Sequence, residues 1–311
     1  MRDYADVLLK DFQVRKSPKE KERFRTWLME ELRSAGYVPH VEERRSWGIR
    51  CRNVVAGDPE KAAVLVTAHY DTCAVLPVPN FITPRNMVWY LLWQLVLVAG
   101  MLAVMGLVYV LTAWLTDSTA IAILTGDAAM LGLIWWMLDG RANRHTANDN
   151  TSGVVTILTI AMALPAELRE KVCFVFFDNE EKGLLGSAAF AGAHKKIRKN
   201  TLVLNFDCVS DGEFFQFFPS KALKKNGEAL LEKLEESFPS QGGKQTEVVR
   251  SFGFYPSDQA NFTRGIGICA LNHSRIFGYY MDRIHTGRDT VMDKENIRLF
   301  CQGTTEFLRN L

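Results

Sequence analysis

With 311 residues, 48% of them hydrophobic and 23% charged, the sequence has the composition of a folded protein, enough for one large α/β domain or two small ones, and disorder and collagen-like repeats are excluded. Lys and Arg number 37 against 35 Asp and Glu, a net charge of +2. No basic run is long enough to neutralise a line of phosphates, so nucleic acid is not expected as a partner.

In chain order, the opening MRDYADVLLKDF carries charge throughout and lacks the apolar core of a secretory signal. Residues 17–37 predict an amphipathic helix: Ser17 is the N-cap, Pro18 the first helical position, Phe24, Trp27, Leu28 and Leu32 the apolar face, and Gly36 the stop. AAVLVTAH (62–69) is a continuous apolar run of the kind that forms a strand covered on both faces. From Asn86 to Thr116 no Asp, Glu, Lys or Arg occurs, and 87–115 exceeds the roughly 20 apolar residues that cross a bilayer core. A second apolar leg, 118–138, contains Asp127, at an insertion cost of about 2.5–3.5 kcal/mol. Trp89, Trp93, Trp114, Trp135 and Trp136 lie towards the ends of the legs, as at membrane interfaces, which favours a transmembrane hairpin over a soluble dimerisation arm. Arg85, Arg141 and Arg144 flank its base while the tip offers only Asp117, so both chain ends are expected on the cytoplasmic side.

Beyond the hairpin, helices are expected over 151–164, 183–199, 221–237 and 295–310, alternating with strands at 171–178, 201–207 and 265–272. The alternation predicts a three-layer α/β domain with a mostly parallel central sheet, made of residues 1–86 and 139–311 and interrupted by the inserted hairpin 87–138. The six cysteines (Cys51, Cys73, Cys173, Cys208, Cys269 and Cys301) lack paired spacing and are expected as reduced, mostly buried thiols. His40, His145, His194 and His273 are expected to be structural or at the surface.

The acids and the remaining histidines gather after the strands. His69 and Asp71 follow the first run, Asp149 precedes a helix, Glu180 and Glu181 follow the 171–178 run, Asp207 ends the 201–207 run, and His285 lies in a Gly-containing loop. Open α/β sheets build their sites on that edge. Imidazole and carboxylate are the ligands of a divalent metal pair about 3.5–4 Å apart, which needs one bridging carboxylate. Asp71, two residues after His69, can receive its ring N–H. In a turn, Glu180 and Glu181 can converge, one on a metal and the other on its water.

The ordered segments AHYDT, ANDNTSGV, FFDNEEKGLLGS, NFDCVSDG, SDQANF and IHTGRDT resemble the co-catalytic di-zinc aminopeptidase family, which includes bacterial leucyl aminopeptidases, aminopeptidase S, glutamate carboxypeptidase and the glutaminyl cyclases. The resemblance covers the chain from about 50 to 310 apart from the hairpin. It implies a zinc-exopeptidase-like α/β/α fold holding two Zn²⁺ or another divalent metal. His69 and Asp207 would bind one ion, Glu181 and His285 the other, with Asp149 bridging, Glu180 as general base, Asp71 behind His69 and a cis peptide after Asp149. The substrates implied are peptides with a free N-terminus. The family's Ser-Asp-His is Ser257-Asp258-Gln259 here, and Phe254 takes the slot of a tyrosine that some members place beside the oxyanion, leaving Tyr255 as the substitute. The alternatives are a glutaminyl cyclase or other metal-dependent amidase, and a non-catalytic membrane binding protein; the latter branch has lost metal ligands, and none is lost here.

Overall fold

The computed structural model describes residues 2–311. Helix α1 (Tyr4–Asp11) is capped by Asp3, whose carboxylate accepts from the Ala5 and Asp6 amides. The predicted amphipathic helix is α2 (Pro18–Ser34): Ser17 accepts from the Glu20 amide, Glu20 caps Ser17 in return, and Phe24, Leu28 and Leu32 are buried. Strands β1 (His40–Ser46) and β2 (Ile49–Ala56) form an antiparallel hairpin. β3 (Val64–His69) leads to helices α3 (Met87–Thr116) and α4 (Thr119–Asp139). There follow α5 (Gly153–Ala163), β4 (Val172–Phe177), α6 (Leu185–Ala193), α7 (Lys195–Asn200), β5 (Leu202–Phe206), β6 (Phe214–Pro219), α8 (Lys221–Asn226), α9 (Glu228–Ser237), β7 (Gln245–Val248), β8 (Gly265–Ser274), β9 (Gly278–Tyr280) and α10 (Lys294–Arg309).

One sheet runs in the order β1-β2-β4-β3-β5-β8-β6-β7, with β9 paired to β8. Its central four strands, β4-β3-β5-β8, are parallel, as expected from their continuous apolar runs. The flanks add antiparallel pairs at β1–β2, β2–β4, β6–β8 and β8–β9, so the sheet as a whole is mixed. Alternate residues of the central strands serve different layers. Val64, Val66 and Ala68 pack with α1, α2, α5 and α10, whereas Leu65 packs with Phe190 of α6 and Ile197 of α7. This is the expected three-layer arrangement.

Two of the expected helices are broken. The span 183–199 divides at His194, where the backbone leaves helical geometry (φ −108°, ψ 65°), and 221–237 divides at Gly227. The six cysteines are free, and all but the half-buried Cys301 are buried. His194 stands between two carboxylates, with Nε2 at 2.9 Å from Glu42 and Nδ1 at 3.1 Å from Glu60.

α3 and α4 are long and apolar enough to cross a membrane, with mean hydropathies of 2.5 and 1.7, and neither apolar stretch is covered by the rest of the chain beyond 11%. They are therefore not core helices of the α/β body. The legs approach where Ala122 and Gly126 are buried one turn apart, and the Thr125 and Thr112 hydroxyls meet at 3.1 Å. Asp127 is exposed on the outer side. At the base, the arrangement differs from the sequence expectation. Arg85 is drawn inwards, donating to Glu247 at 2.5 Å and lying over the Tyr279 ring, which leaves Arg141 and Arg144 exposed. Trp89 and Trp93 donate their indole N–H groups to the carbonyls of Ile276 and Pro79, so these two rings fasten the hairpin to the body. Lys16 donates to the Leu138 carbonyl and Lys182 pairs with Asp139, two cations at the C-terminal end of α4 where the helix dipole favours them.

Candidate metal centre

The parallel register places the ends of three strands side by side. His69 is level with Phe177 in β4, and β5 flanks β3 on its other side. Glu180 and Glu181 therefore emerge to one side of His69 and Asp207 to the other. The turn carrying the two glutamates is closed by the Glu180 carbonyl, which accepts from Gly183 and Leu184, and by Asn179 in a left-handed conformation. Asp149 comes from above, on the segment leading into α5, and its peptide bond to Asn150 is cis. His285 lies in the loop after β9.

The side chains expected to share a site are all brought together. His69 Nε2 lies 3.4 Å from Asp149 Oδ1 and 3.5 Å from Asp207 Oδ1. His285 Nε2 lies 3.1 Å from Asp149 Oδ2 and 3.3 Å from Glu181 Oε2. The two oxygens of Asp149 thus face separate histidines, each accompanied by a further carboxylate. Glu180 Oε2 is 3.9 Å from His69 Nε2. The Asp207 Oδ1 and Glu181 Oε1 atoms are buried without a hydrogen-bond donor. Buried acceptors of this kind are costly unless a cation or a proton meets them, and the nitrogen–oxygen donor set is that of a hard or borderline divalent metal. The residues fit a pair of such ions. The chain offers several candidate metal-binding groups here, among them His69–Glu180–Asp207 and His69–Asp149–Glu181.

Asp71 does more than face His69. Its carboxylate is 3.6 Å from His69 Nδ1, while its backbone carbonyl is nearer at 3.2 Å. The carboxylate oxygens accept the amides of Glu180 and Glu181 at 3.0 and 3.3 Å, which aims both glutamates at the site. Tyr255 lines the cavity over the centre, yet its hydroxyl donates to the Asp207 backbone carbonyl at 3.0 Å. Its one proton is therefore committed to holding Asp207. This differs from the expected place beside an oxyanion.

With protein groups alone around them, the carboxyls divide. Burial pushes Glu180 well above the ordinary range, with His69 opposing and the charges of Glu181 and Asp207 adding to the rise. Burial and Asp149 do the same for Glu181. Burial opposes charge on both histidines, but the carboxylates around them, Glu180 foremost for His69 and Asp149 for His285, raise both. For Asp149 burial is outweighed by His285 and His69, which hold it low.

Four supporting residues carried no assigned role in the sequence reading. Arg15 is fully buried behind the site, donating to the Tyr70 and Phe12 carbonyls and to the Thr151 hydroxyl. Lys21 spans Asp178 and Asn179 at 2.7 Å each. Asp289 accepts the amides of Asn148 and Asp149 and is pushed up to about 7, by burial first and then by Asp149. Asp258 is buried beside the same cluster and is likewise raised to about 7, by burial foremost. Gln259, where the family has histidine, accepts from Asn205 and donates to the Tyr255 carbonyl, and packs against Gly267 of β8. It is a structural link in this chain. Gly153, in the ANDNTSGV segment, lies so close to Phe206 that an added Cβ would sit 2.3 Å from the Phe206 carbonyl oxygen, which explains the glycine at the start of α5. Cys73 is buried with its thiol beside Glu181 and His285, and burial raises its pKa well above the usual value.

An α/β sheet edge carrying two histidines and a bridging-type carboxylate defines a metallohydrolase-like class. The model of peptidase family M28 matches residues 129–304, and the chain belongs to that family. The membership makes it a metal-dependent peptidase or cyclase. Comparison with curated proteins returns no match. Among solved structures it is similar to a glutaminyl cyclase of Porphyromonas gingivalis, at 17% identity with a TM-score of 0.62, over 99% of this chain and 96% of that one. It is similar to the LapA aminopeptidase of Legionella pneumophila, at 14% identity and TM-score 0.58 over 99% and 68% of the two chains. A leucine aminopeptidase precursor of Bacteroides thetaiotaomicron gives 15% and 0.59 over 99% and 95%. At these identities the likeness is one of fold.

Proposed function

We propose that the protein is a di-metal aminopeptidase working at a membrane surface, removing the N-terminal residue from peptides with a free N-terminus. The observation that carries this reading is the division of Asp149, whose two oxygens serve two histidine–carboxylate sets. Two metals suit hydrolysis, whereas a glutaminyl cyclase uses one. On this reading His69 and Asp207 would hold one ion, Glu181 and His285 the other, and Asp149 both. Bound there, two zinc or similar ions would supply Lewis acidity and lower the pKa of water.

Glu180 is assigned as the general base. Half-buried above the ligand cluster and too far from His69 for a direct hydrogen bond, it is free to take a proton from attacking water and return it to the leaving amine. Asp71 positions the Glu180–Glu181 turn, and Tyr255 positions Asp207. The reading assigns residues 1–86 and 139–311 to a discontinuous catalytic body and 87–138 to a two-helix membrane anchor. With Arg141 and Arg144 exposed at the base, the body lies on the cytoplasmic side, in contact with lipid headgroups.

Metal analysis of the purified protein together with a panel of aminoacyl-fluorophores tests the proposal. About two ions per chain and release of fluorophore only from unblocked substrates are expected. Equal cleavage of N-acetylated and free peptides would refute exopeptidase action. Conversion of an N-terminal glutamine to pyroglutamate without release of an amino acid would make the protein a cyclase.

A further inference from the structure

A second cavity, of about 500 Å³, lies between the hairpin and the body and reaches Glu181 and His285 of the metal centre. The two cavities share Asn80, Gln94, Glu181 and His285, so they adjoin across these residues, one polar and the other apolar. Tyr90 and Gln94, one turn apart on α3, face the metal-centre cavity. Leu97, Met101 and Val104 continue the same side of the helix along the apolar cavity, and Trp136 and Met137 of α4 close it opposite. From Gln94 to Val104 the helix rises about 15 Å. Beyond the shared residues, the cavity wall is apolar.

We infer that this cavity is the binding site for the alkyl chain of an amide substrate, so that the same centre also hydrolyses amides of long-chain fatty acids, such as N-acyl amino acids. The inference rests on the metallohydrolase reading and deepens it. The acyl chain occupies the place that the N-terminal residue's side chain takes in a peptide. An extended peptide filling the same length would bring about four or five residues, whose N–H and C=O groups would find no partners beyond Asn80 and Gln94. An alkyl chain needs none, and about twelve carbons span the distance. In the reaction the oxygen of water bonds to the acyl carbon and the C–N bond breaks. The proton taken by Glu180 passes to the nitrogen, giving a fatty acid and a free amine. The product acid is left beside the bilayer that can dissolve it.

Gly100 provides a way to fill the cavity. It lines the apolar end, and a Cβ added there meets nothing within 4 Å, so a larger side chain extends into open space. The test uses the full-length protein in phosphatidylcholine nanodiscs. First, N-(12-bromododecanoyl)glycine should quench tryptophan fluorescence saturably, through Trp93 and Trp136 in the cavity wall, in competition with unbrominated N-dodecanoylglycine. In Gly100→Phe the apparent Kd should weaken at least tenfold. Second, kcat/KM of the zinc-loaded protein on N-acylglycines should rise at least a hundredfold from acetyl to dodecanoyl. The dodecanoyl-to-octanoyl ratio should fall at least tenfold in Gly100→Phe.

Quenching by brominated phosphatidylcholine equal to that by the brominated amide would show a cavity filled by bilayer lipid and overturn the inference. So would a rate independent of chain length, even with leucyl-fluorophore cleaved, and in that case the peptidase reading would stand. Competed binding that is sensitive to Gly100→Phe, without hydrolysis of any substrate, would uphold the alkyl site and overturn the hydrolase reading instead.

Discussion

At the sheet edge, charged groups are buried and held by other buried groups; along the hairpin, apolar groups are exposed and few polar groups are present to be held. Asp71 accepts two amides, Asp289 two more, and Arg15 reaches three acceptors. α3 and α4 leave Leu95, Leu107, Trp114, Leu124 and Trp135 exposed. In water the first arrangement is tolerated because its charges are paired and hydrogen-bonded and the second is a liability, so on the proposed membrane reading the two regions are built for different solvents. Where they meet, Trp89, Trp93, Lys16 and Lys182 tie them through directed bonds, which fixes the hairpin's position relative to the metal centre.

The largest expected effect sharpens the polar side of that comparison. Glu180→Gln should retain both metals and lose about 10²–10⁴-fold or more in kcat, because the proton carrier is removed and the ligands are left. Glu181→Gln should lower metal content, read by atomic emission on the dialysed protein. Equal metal loss in both variants would exchange or dissolve the two roles.

Next comes the buried cation. Arg15→Met leaves the Tyr70 and Phe12 carbonyls and the Thr151 hydroxyl short of a donor and takes a positive charge from behind Asp71 and Asp149. A loss of about 3–5 kcal/mol in unfolding free energy is expected from denaturant titration of the body, as for other broken buried charge networks. A loss below about 1 kcal/mol would mean that water replaces the guanidinium and that the network behind the site is wet.

These two predictions also mark what could be read from the sequence. The convergence of His69, Asp149, Glu181 and Asp207 was legible because each follows a strand or precedes a helix on one edge of a parallel sheet; His285 lies in a loop and was marked by the resemblance of its IHTGRDT segment. The hairpin was legible from its lack of charge. Arg15 and Lys21 were not, because a lone cation in a polar N-terminal stretch looks solvated until the fold buries it. β1, HVEERRS, escaped for the opposite reason: as an exposed edge strand it has no apolar alternation. β6, FFQFFP, is buried, but Gln216 interrupts its apolar run and Pro219 ends it, which masks a strand in a short aromatic segment. The fastening of Trp89 and Trp93 depends on loops almost 200 residues away in one case, a long-range pairing that local patterns do not encode.

The hairpin side is tested by Gly126→Leu. Gly126 is buried against Met105, whose backbone oxygen would lie 3.4 Å from an added Cβ, so a leucine there forces the legs apart. Overpacking of about 1–3 kcal/mol is expected. It should appear as faster proteolysis or lower thermal stability of the hairpin in detergent, with soluble-substrate kcat changed less than twofold. An equal fall in kcat would show that the hairpin and the metal centre are more tightly coupled than their contrasting surroundings suggest.

The smallest effect concerns a histidine of the body that no metal reaches. His194 sits between Glu42 and Glu60; burial opposes its charge, but the two carboxylates raise its pKa above the ordinary value. A raised folded-state pKa means that the folded protein holds the proton more tightly than the unfolded chain. The stabilisation is therefore complete below the ordinary histidine value of about 6.5 and is lost as pH rises through the folded-state value. His194→Gln should cost about 0.2–1 kcal/mol near pH 5.5 and less near pH 9, since the pair is partly open to solvent. Thermal denaturation of both proteins at the two pH values measures the difference. A cost that is the same at both would assign His194 to packing on the Phe190 ring, whose centroid lies 4.4 Å away, and not to the ion pair.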